Sequence, residues 1–241
     1  MRRRSFFGTL AGGAAAGLSG CIGLSTARSV SETLDESYGI SDIDRVDVST
    51  VIGDISITPN DGAHVDVDGV KRAATEGDLR ATRLQSTVEE GTLNLEVDTD
   101  DVDNQIFGVQ IRPEPAIDLD ITVPPSIGFN SIASVTGDID VEAIHGPIQV
   151  EGVTGDISLD SIEGDVDVNV TTGTTHVADV DGDVTVEATT GDVLVEHAHG
   201  EVSIETTTGD ITAEHIEGDL EVSTVTGDID TYDIDGSIDH V

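Results

Sequence analysis

Between Gly137 and Gly236 the chain alternates apolar and polar side chains in short runs, and the runs recur. Counted from each glycine, the second and fourth positions are nearly always aliphatic or β-branched, as in Ile139/Val141, Ile148/Val150, Ile157/Leu159, Val166/Val168, Val184/Val186 and Val202/Ile204. The third and fifth are mostly polar, as in Asp140/Glu142 and Ser203/Glu205. Alternation with period two predicts a short strand that buries one face and wets the other. The seventh position turns apolar again in many units (Ile144, Val153, Ile162, Ile216, Val225, Ile234). No apolar stripe at helical spacing runs through the region, so a helical reading fails.

Glycine marks a joint every nine residues, from Gly137, Gly146 and Gly155 through Gly227 and Gly236. The residue before it is threonine at alternate joints (Thr136, Thr154, Thr172, Thr190, Thr208, Thr226) and otherwise another polar residue such as His145, Glu163, Asp181 or Glu217. The unit is therefore eighteen residues in two similar halves. Strands this short cannot bury their apolar faces alone, so successive coils must stack. Glycine suits the corners because it accepts φ > 0 without steric cost. With rungs ~4.8 Å apart, about six coils make a body roughly 29 Å tall. The expected fold is all-β: a β-solenoid over residues 126–241, preceded by an irregular β segment over 46–125.

Residues 1–20 have the form of an export signal. Arg3-Arg4-Ser5-Phe6-Phe7 resembles the twin-arginine motif, and an uncharged Gly/Ala/Leu stretch follows. It ends in Leu18-Ser19-Gly20-Cys21, which looks like a lipobox, so Cys21 is expected to become the lipidated first residue. The apolar run is too short and glycine-rich to span a membrane well. Cys21 is the only cysteine, so no intrachain disulfide can form. Residues 21–45, rich in Ser, Thr and acids, read as a flexible tether; the alternative is a fixed strand that pairs with the body. Within 46–125, Val46-Asp47-Val48, Gly53–Ile57, His64–Val67, Gly91–Val97 and Ile117–Val123 alternate like strands. Ala74–Arg83 fits a short helix or a further strand, and Asp98–Asp103 a solvated loop. Pro124-Pro125 cannot continue a ladder and marks the way into the regular repeats.

Charge narrows the partners. The chain carries −39, with Lys71 its only lysine and neither Lys nor Arg after Arg112. Removing Arg2, Arg3 and Arg4 with the signal leaves 49 acidic against 7 basic side chains. Such a surface excludes nucleic acid, which needs basic contacts to phosphate, and repels anionic lipid headgroups. The membrane tie must then be the anchor. Acids spread through every segment fit adaptation to very high salt, where screening lengths fall to ~3 Å, and a halophilic archaeal source. The competing reading is divalent-cation binding.

Stacking at eighteen residues places Asp138, Asp156, Asp192, Asp210 and Asp228 in one column, interrupted by Thr174; Asp165, Asp183, Glu201 and Asp219 form another. Like charges one rung apart repel, and calcium with its oxygen ligands is the natural bridging ion. The extra glycines of the calcium-binding nonapeptide are missing, however, and solvated turn aspartates explain the column equally well. Asp179, His197, His215 and Asp233 form a third column, with His199 nearby, in which the two histidines could share a transition metal or simply be exposed corner residues. No cofactor is otherwise implied. Catalysis has little support: there are no basic side chains in the solenoid, no Gly-rich phosphate loop and no carboxylate pair set apart by its surroundings. Aromatic residues are scarce too, which disfavours a sugar platform of stacked rings.

The corners Val135-Thr136-Gly137-Asp138-Ile139, Val153-Thr154-Gly155-Asp156-Ile157 and Val225-Thr226-Gly227-Asp228-Ile229 follow an irregular β segment ending Ile121-Thr122-Val123-Pro124. This resembles the putative-adhesin family of β-strand-repeat envelope proteins, a domain of unknown function, over Val46 to Val241. The resemblance implies a surface-exposed, non-enzymatic module linked to adhesion or envelope stress, and brings no catalytic residues with it. The expected partners are the membrane through the lipid anchor, and an envelope protein, a cell-surface glycan or a neighbouring cell. The expected place is the outer face of the cell membrane. A calcium-ordered surface solenoid and an extracellular polysaccharide-acting enzyme are the alternatives. The last strand, Ser237 to Val241, leaves end-to-end association open.

Overall fold

The computed structural model describes residues 28–98, 105–106, 109–110 and 114–240. Strand β1 (Val30–Gly39) and a 3-10 turn at Ile40–Asp42 precede β2 (Arg45–Ile52), β3 (Ile55–Pro59) and β4 (His64–Ala73). Helix α1 (Glu76–Ala81) leads to β5 (Arg83–Glu89) and β6 (Thr92–Asp98). Two short strands, β7 (Gln105–Ile106) and β8 (Val109–Gln110), pair with each other. Then come β9 (Ala116–Val123), β10 (Gly128–Thr136), β11 (Ile139–His145), β12 (Ile148–Thr154), β13 (Ile157–Glu163), β14 (Val166–Thr172) and β15 (Thr175–Val180). The series closes with β16 (Val184–Thr190), β17 (Val193–Ala198), β18 (Val202–Thr208), β19 (Ile211–Ile216), β20 (Leu220–Thr226), β21 (Ile229–Ile234) and β22 (Ile238–His240).

The repeats stack as the periodicity predicts, in a β-solenoid of about six turns. From β10 onward the odd-numbered strands join one parallel sheet and the even-numbered strands a second, each strand pairing with its equivalent eighteen residues away. Ile139 thus sits beside Ile157, and Val150 beside Val168. The second and fourth positions of both sheets point at each other and form one continuous core; Val150, Leu159, Val168, Val186 and Val195 have no exposed surface. Burial of these aliphatic faces, at ~25 cal/mol per Å², is the main favourable term for a chain with so few aromatic side chains.

Glycine is required at the corners on two grounds. Gly155 has φ +145°, and a Cβ there would lie 2.0 Å from the carbonyl oxygen of Gly137 one coil away. Gly218 has no such φ, yet its Cβ would meet the oxygen of Gly200 at 2.1 Å. At Gly182, Gly200, Gly218 and Gly236 it is close approach of stacked backbones, without a left-handed φ, that requires glycine.

The two sheets treat the seventh position differently. In the odd strands the sixth residue adopts a left-handed conformation: Ala143 φ 52°, Ser161 59°, Asp179 52°, His197 54°, His215 56° and Asp233 51°. This single-residue kink resets the alternation and turns Ile144, Ile162 and Ile216 into the core. The even strands lack the kink. There the sixth residue faces inward, as with Val170 and Ala188, and the seventh is left outside: Val135 and Val153 are 46% exposed and Val225 79%.

The segment before the regular repeats contributes rungs of its own. β2 and β3 pair in parallel with β10 and β11, Ile52 opposite Thr136 and Ile55 opposite Ile139, so this early coil is a solenoid turn in register although residues 60–127 intervene. β6 and β9 add a further parallel rung beyond it. Antiparallel strands then close this end, β5 on β6, β4 on β9 and β1 on β4. Val30–Gly39, inside the stretch read as a tether, is thus a paired strand; Leu34 and Tyr38 pack on the core, while Glu36 takes a half-buried position between them and accepts a hydrogen bond from the Tyr38 hydroxyl. Ala74–Arg83 contains helix α1, whose first turn is capped by the Thr75 hydroxyl accepting the Asp78 N–H at 3.2 Å.

Candidate functional site

The aspartates after the Thr-Gly corners form a hydrogen-bonded ladder. Oδ1 of each carboxylate accepts the backbone N–H of the equivalent residue one coil on. Asp54 receives Asp138 at 3.0 Å, Asp138 receives Asp156 at 2.8 Å, and Asp156 receives Thr174 at 2.7 Å. The ladder resumes with Asp192 receiving Asp210 at 2.9 Å and Asp210 receiving Asp228 at 2.8 Å. It breaks at Thr174, which offers no carboxylate to the Asp192 N–H. The opposite corners repeat the device: Asp165 receives Asp183, Asp183 receives Glu201, and Asp219 receives both the N–H and the hydroxyl of Ser237. Those two donors hold the Asp219 carboxyl below the usual aspartate range. Corner N–H groups would otherwise lack a partner in the ladder of either sheet, and charge-assisted bonds of this kind are the stronger sort.

Five histidines, on the odd strands or just after them, each stand beside a carboxylate: His145, His176, His197, His199 and His215. His197 and His215 stack with ring centroids 4.7 Å apart and planes 16° from parallel. Asp179 lies 3.7 Å from His197 Nδ1, and Asp233 lies 3.4 Å from His215 Nε2. In the next column His199 stands between Asp181 at 4.0 Å and Glu217 at 3.7 Å. His145 meets Glu163 at 2.7 Å, and His176 meets Glu196 at 2.9 Å. Asp179, His197, His215 and Asp233 share the left-handed sixth position, a conformation in which Asp, Asn and His are enriched. The column therefore has a backbone cause. His145 and Glu163 meet at the eighteen-residue register that the repeat defines, whereas His176 and Glu196 meet diagonally, twenty residues apart, which the register alone does not show. Among the described residues no group of three or more His, Cys, Asp or Glu side chains converges as a metal-ligand set.

The even strands carry a different surface. Their exposed seventh residues (Val135, Val153, Thr171, Thr189, Thr207) and the fifth-position residues Glu151, Asn169, Glu187 and Glu205 form the two sides of a groove of about 500 Å³ running along the stack. Gly152, Val170 and Ala188 form its floor. Sequence alone does not distinguish Val153 from Ile144, since both are seventh residues; the kink at the sixth decides which is core.

Arg3, Arg4 and Cys21 lie outside the described residues. No helix among the described residues is long and apolar enough to cross a membrane.

Comparison with known proteins places these features in a family. No curated protein matches the chain. Among solved structures, a putative adhesin of Bacteroides fragilis is 16% identical, covering 87% of this chain and 97% of its own with a TM-score of 0.40. A putative cell adhesion protein of Clostridium sporogenes is 12% identical, over 88% and 100% of the two chains, at a TM-score of 0.34. A putative lipid binding protein of Parabacteroides distasonis is 15% identical, over 89% and 98%, at 0.30. The sequence profile of one family, described as Toastrack DUF4097, matches residues 25–232, from before β1 to the last full coil. With nearly the whole described body inside that match, the chain belongs to the Toastrack family DUF4097.

Proposed function

We propose that the protein is a non-enzymatic cell-surface protein: a rigid acidic β-solenoid, exported through the twin-arginine signal at Arg3-Arg4, lipid-anchored at Cys21, and acting in adhesion or envelope interaction. The observation that carries this is repetition. Each coil presents the same kinds of side chain at the same outward positions, so the surface offers columns and a long groove rather than one unique constellation. Such a surface suits a repetitive or extended partner. Beads coated with the purified domain should adhere to cells of the source organism in high salt, and Cys21→Ser should move the protein from the cell envelope into the medium. Beads that fail to adhere, or a Cys21→Ser protein that stays cell-bound, would sink the respective half of the reading.

Calcium ordering is the second reading, and the ladder weighs against it. One oxygen of each ladder carboxylate is already engaged with an N–H, which relieves the need for a bridging cation. Circular dichroism across monovalent salt, with calcium or with chelator, separates the two readings.

A further inference from the structure

The groove of the even strands has chemistry distinct from the rest of the surface. One side is uncharged: Val153, Thr171, Thr189 and Thr207 present methyl groups and hydroxyls at successive coils. The facing side repeats hydrogen-bonding groups at the same interval, Glu151, Asn169, Glu187 and Glu205. Each coil thus supplies one apolar methyl surface and one planar polar side chain, ~4.8 Å from the next pair. Thr50, which lines the groove, is 2% exposed and its hydroxyl has no partner.

Three features define the occupant. A site that repeats at every rung fits a linear polymer with a short repeat lying along the solenoid. With carboxylates in one wall and no cation among the lining residues, the polymer is not an anion. The groove crosses the middle of strands whose backbone groups already pair with neighbouring coils, so a polypeptide would find no open sheet edge to extend. Recognition must then come from side chains alone. Sugar rings supply what this requires: C–H faces to lie on the Val and Thr methyls, and hydroxyls to donate to the Glu carboxylates and exchange bonds with Asn169 and the Thr hydroxyls. We infer that the groove binds an uncharged linear glycan along the stack, about one sugar unit per coil. This rests on the surface-interaction reading above and gives it a site and a partner class. Without aromatic rings each unit is held weakly, and affinity comes from many units acting together.

Calorimetry of the soluble domain in high salt against β-linked glucose oligomers, from disaccharide to octasaccharide, tests the assignment. Affinity should rise roughly tenfold or more with length and level off once the groove is filled. Thr189→Glu places a charge in the uncharged wall at an exposed position. It should keep the circular dichroism spectrum and weaken the hexasaccharide by roughly tenfold. Glu187→Ala, on the other wall, should weaken it too. Absence of length-dependent binding, equal affinity of both variants and parent, or a preference for oligolysine of matched length overturns the inference. The adhesion reading fails separately: parent-coated beads that do not adhere to cells count against it whatever the calorimetry shows. Thr189→Glu beads that adhere like the parent leave adhesion standing and move it to another face.

Discussion

Ala143 is held at φ 52°, in a conformation that an L-residue with a Cβ disfavours by about 1–2 kcal/mol. Its equivalents answer that cost differently: Asp179, His197, His215 and Asp233 belong to types that tolerate the left-handed region, whereas Ala143 and Ser161 do not. Ala143→Gly should therefore stabilise the domain by about 1 kcal/mol in thermal or denaturant unfolding. A loss of stability would mean that the kink is not locally strained. Asp140 offers a second test one strand face away. Partial burial, with the Asp138 and Asp54 carboxylates adding to it, raises its carboxyl above the ordinary range. An acid whose folded value lies above its unfolded one favours folding in its protonated form. That contribution is complete below the unfolded value and is lost as pH rises through the folded one. Asp140→Asn should accordingly melt higher than the parent at neutral pH, with the gap closing as pH falls below ~3.9. A gap that is constant with pH would show that the carboxyl titrates as in the unfolded chain.

At the scale of the strand and its corner, the carboxylate ladder explains why Asp follows glycine so often. Each Asp closes the backbone of the next coil, so the acidity of this column has a structural role beside any solvating one. The break at Thr174 is the informative place. Thr174→Asp should supply an acceptor for the Asp192 N–H and stabilise the domain by about 1 kcal/mol at high salt. The gain should shrink at low salt, where the added charge stands among its neighbours. Equal or lower stability at every salt concentration would mean that repulsion outweighs the bond. The odd and even strands show the limit of periodicity at this scale. Nine-residue halves look alike in sequence, yet one half kinks at its sixth residue and the other does not. The signal for the kink was present only in part, as Asp and His at Asp179, His197, His215 and Asp233.

For the whole molecule, 49 acidic side chains stand against 10 Lys and Arg, none of the latter after Arg112. Self-repulsion should make folding depend on salt: the far-UV β signal should fall at low ionic strength and return with monovalent salt, unaffected by chelator. Recovery with a modest amount of calcium at low salt would instead make the Asp columns cation sites. The closed end of the body is the part least legible in the sequence. Glu36 sits on the inward face of β1 and spoils its alternation, so the stretch reads as a tether although it pairs with β4.

What the sequence determined alone was whatever depends on neighbours close along the chain or on strict repetition: strands from period-two alternation, corners from glycine, and coil length from the eighteen-residue repeat. Stacking follows from these, because a short one-sided strand has nowhere else to bury its apolar face. The tertiary structure decided what depends on residues far apart. Only the fold brings β2 and β3 beside β10 and β11, places β1, β4 and β5 as closing strands, and pairs His176 with Glu196. It also decided which seventh residues are core and which line a groove, since one left-handed residue per odd strand reverses the direction of every side chain after it.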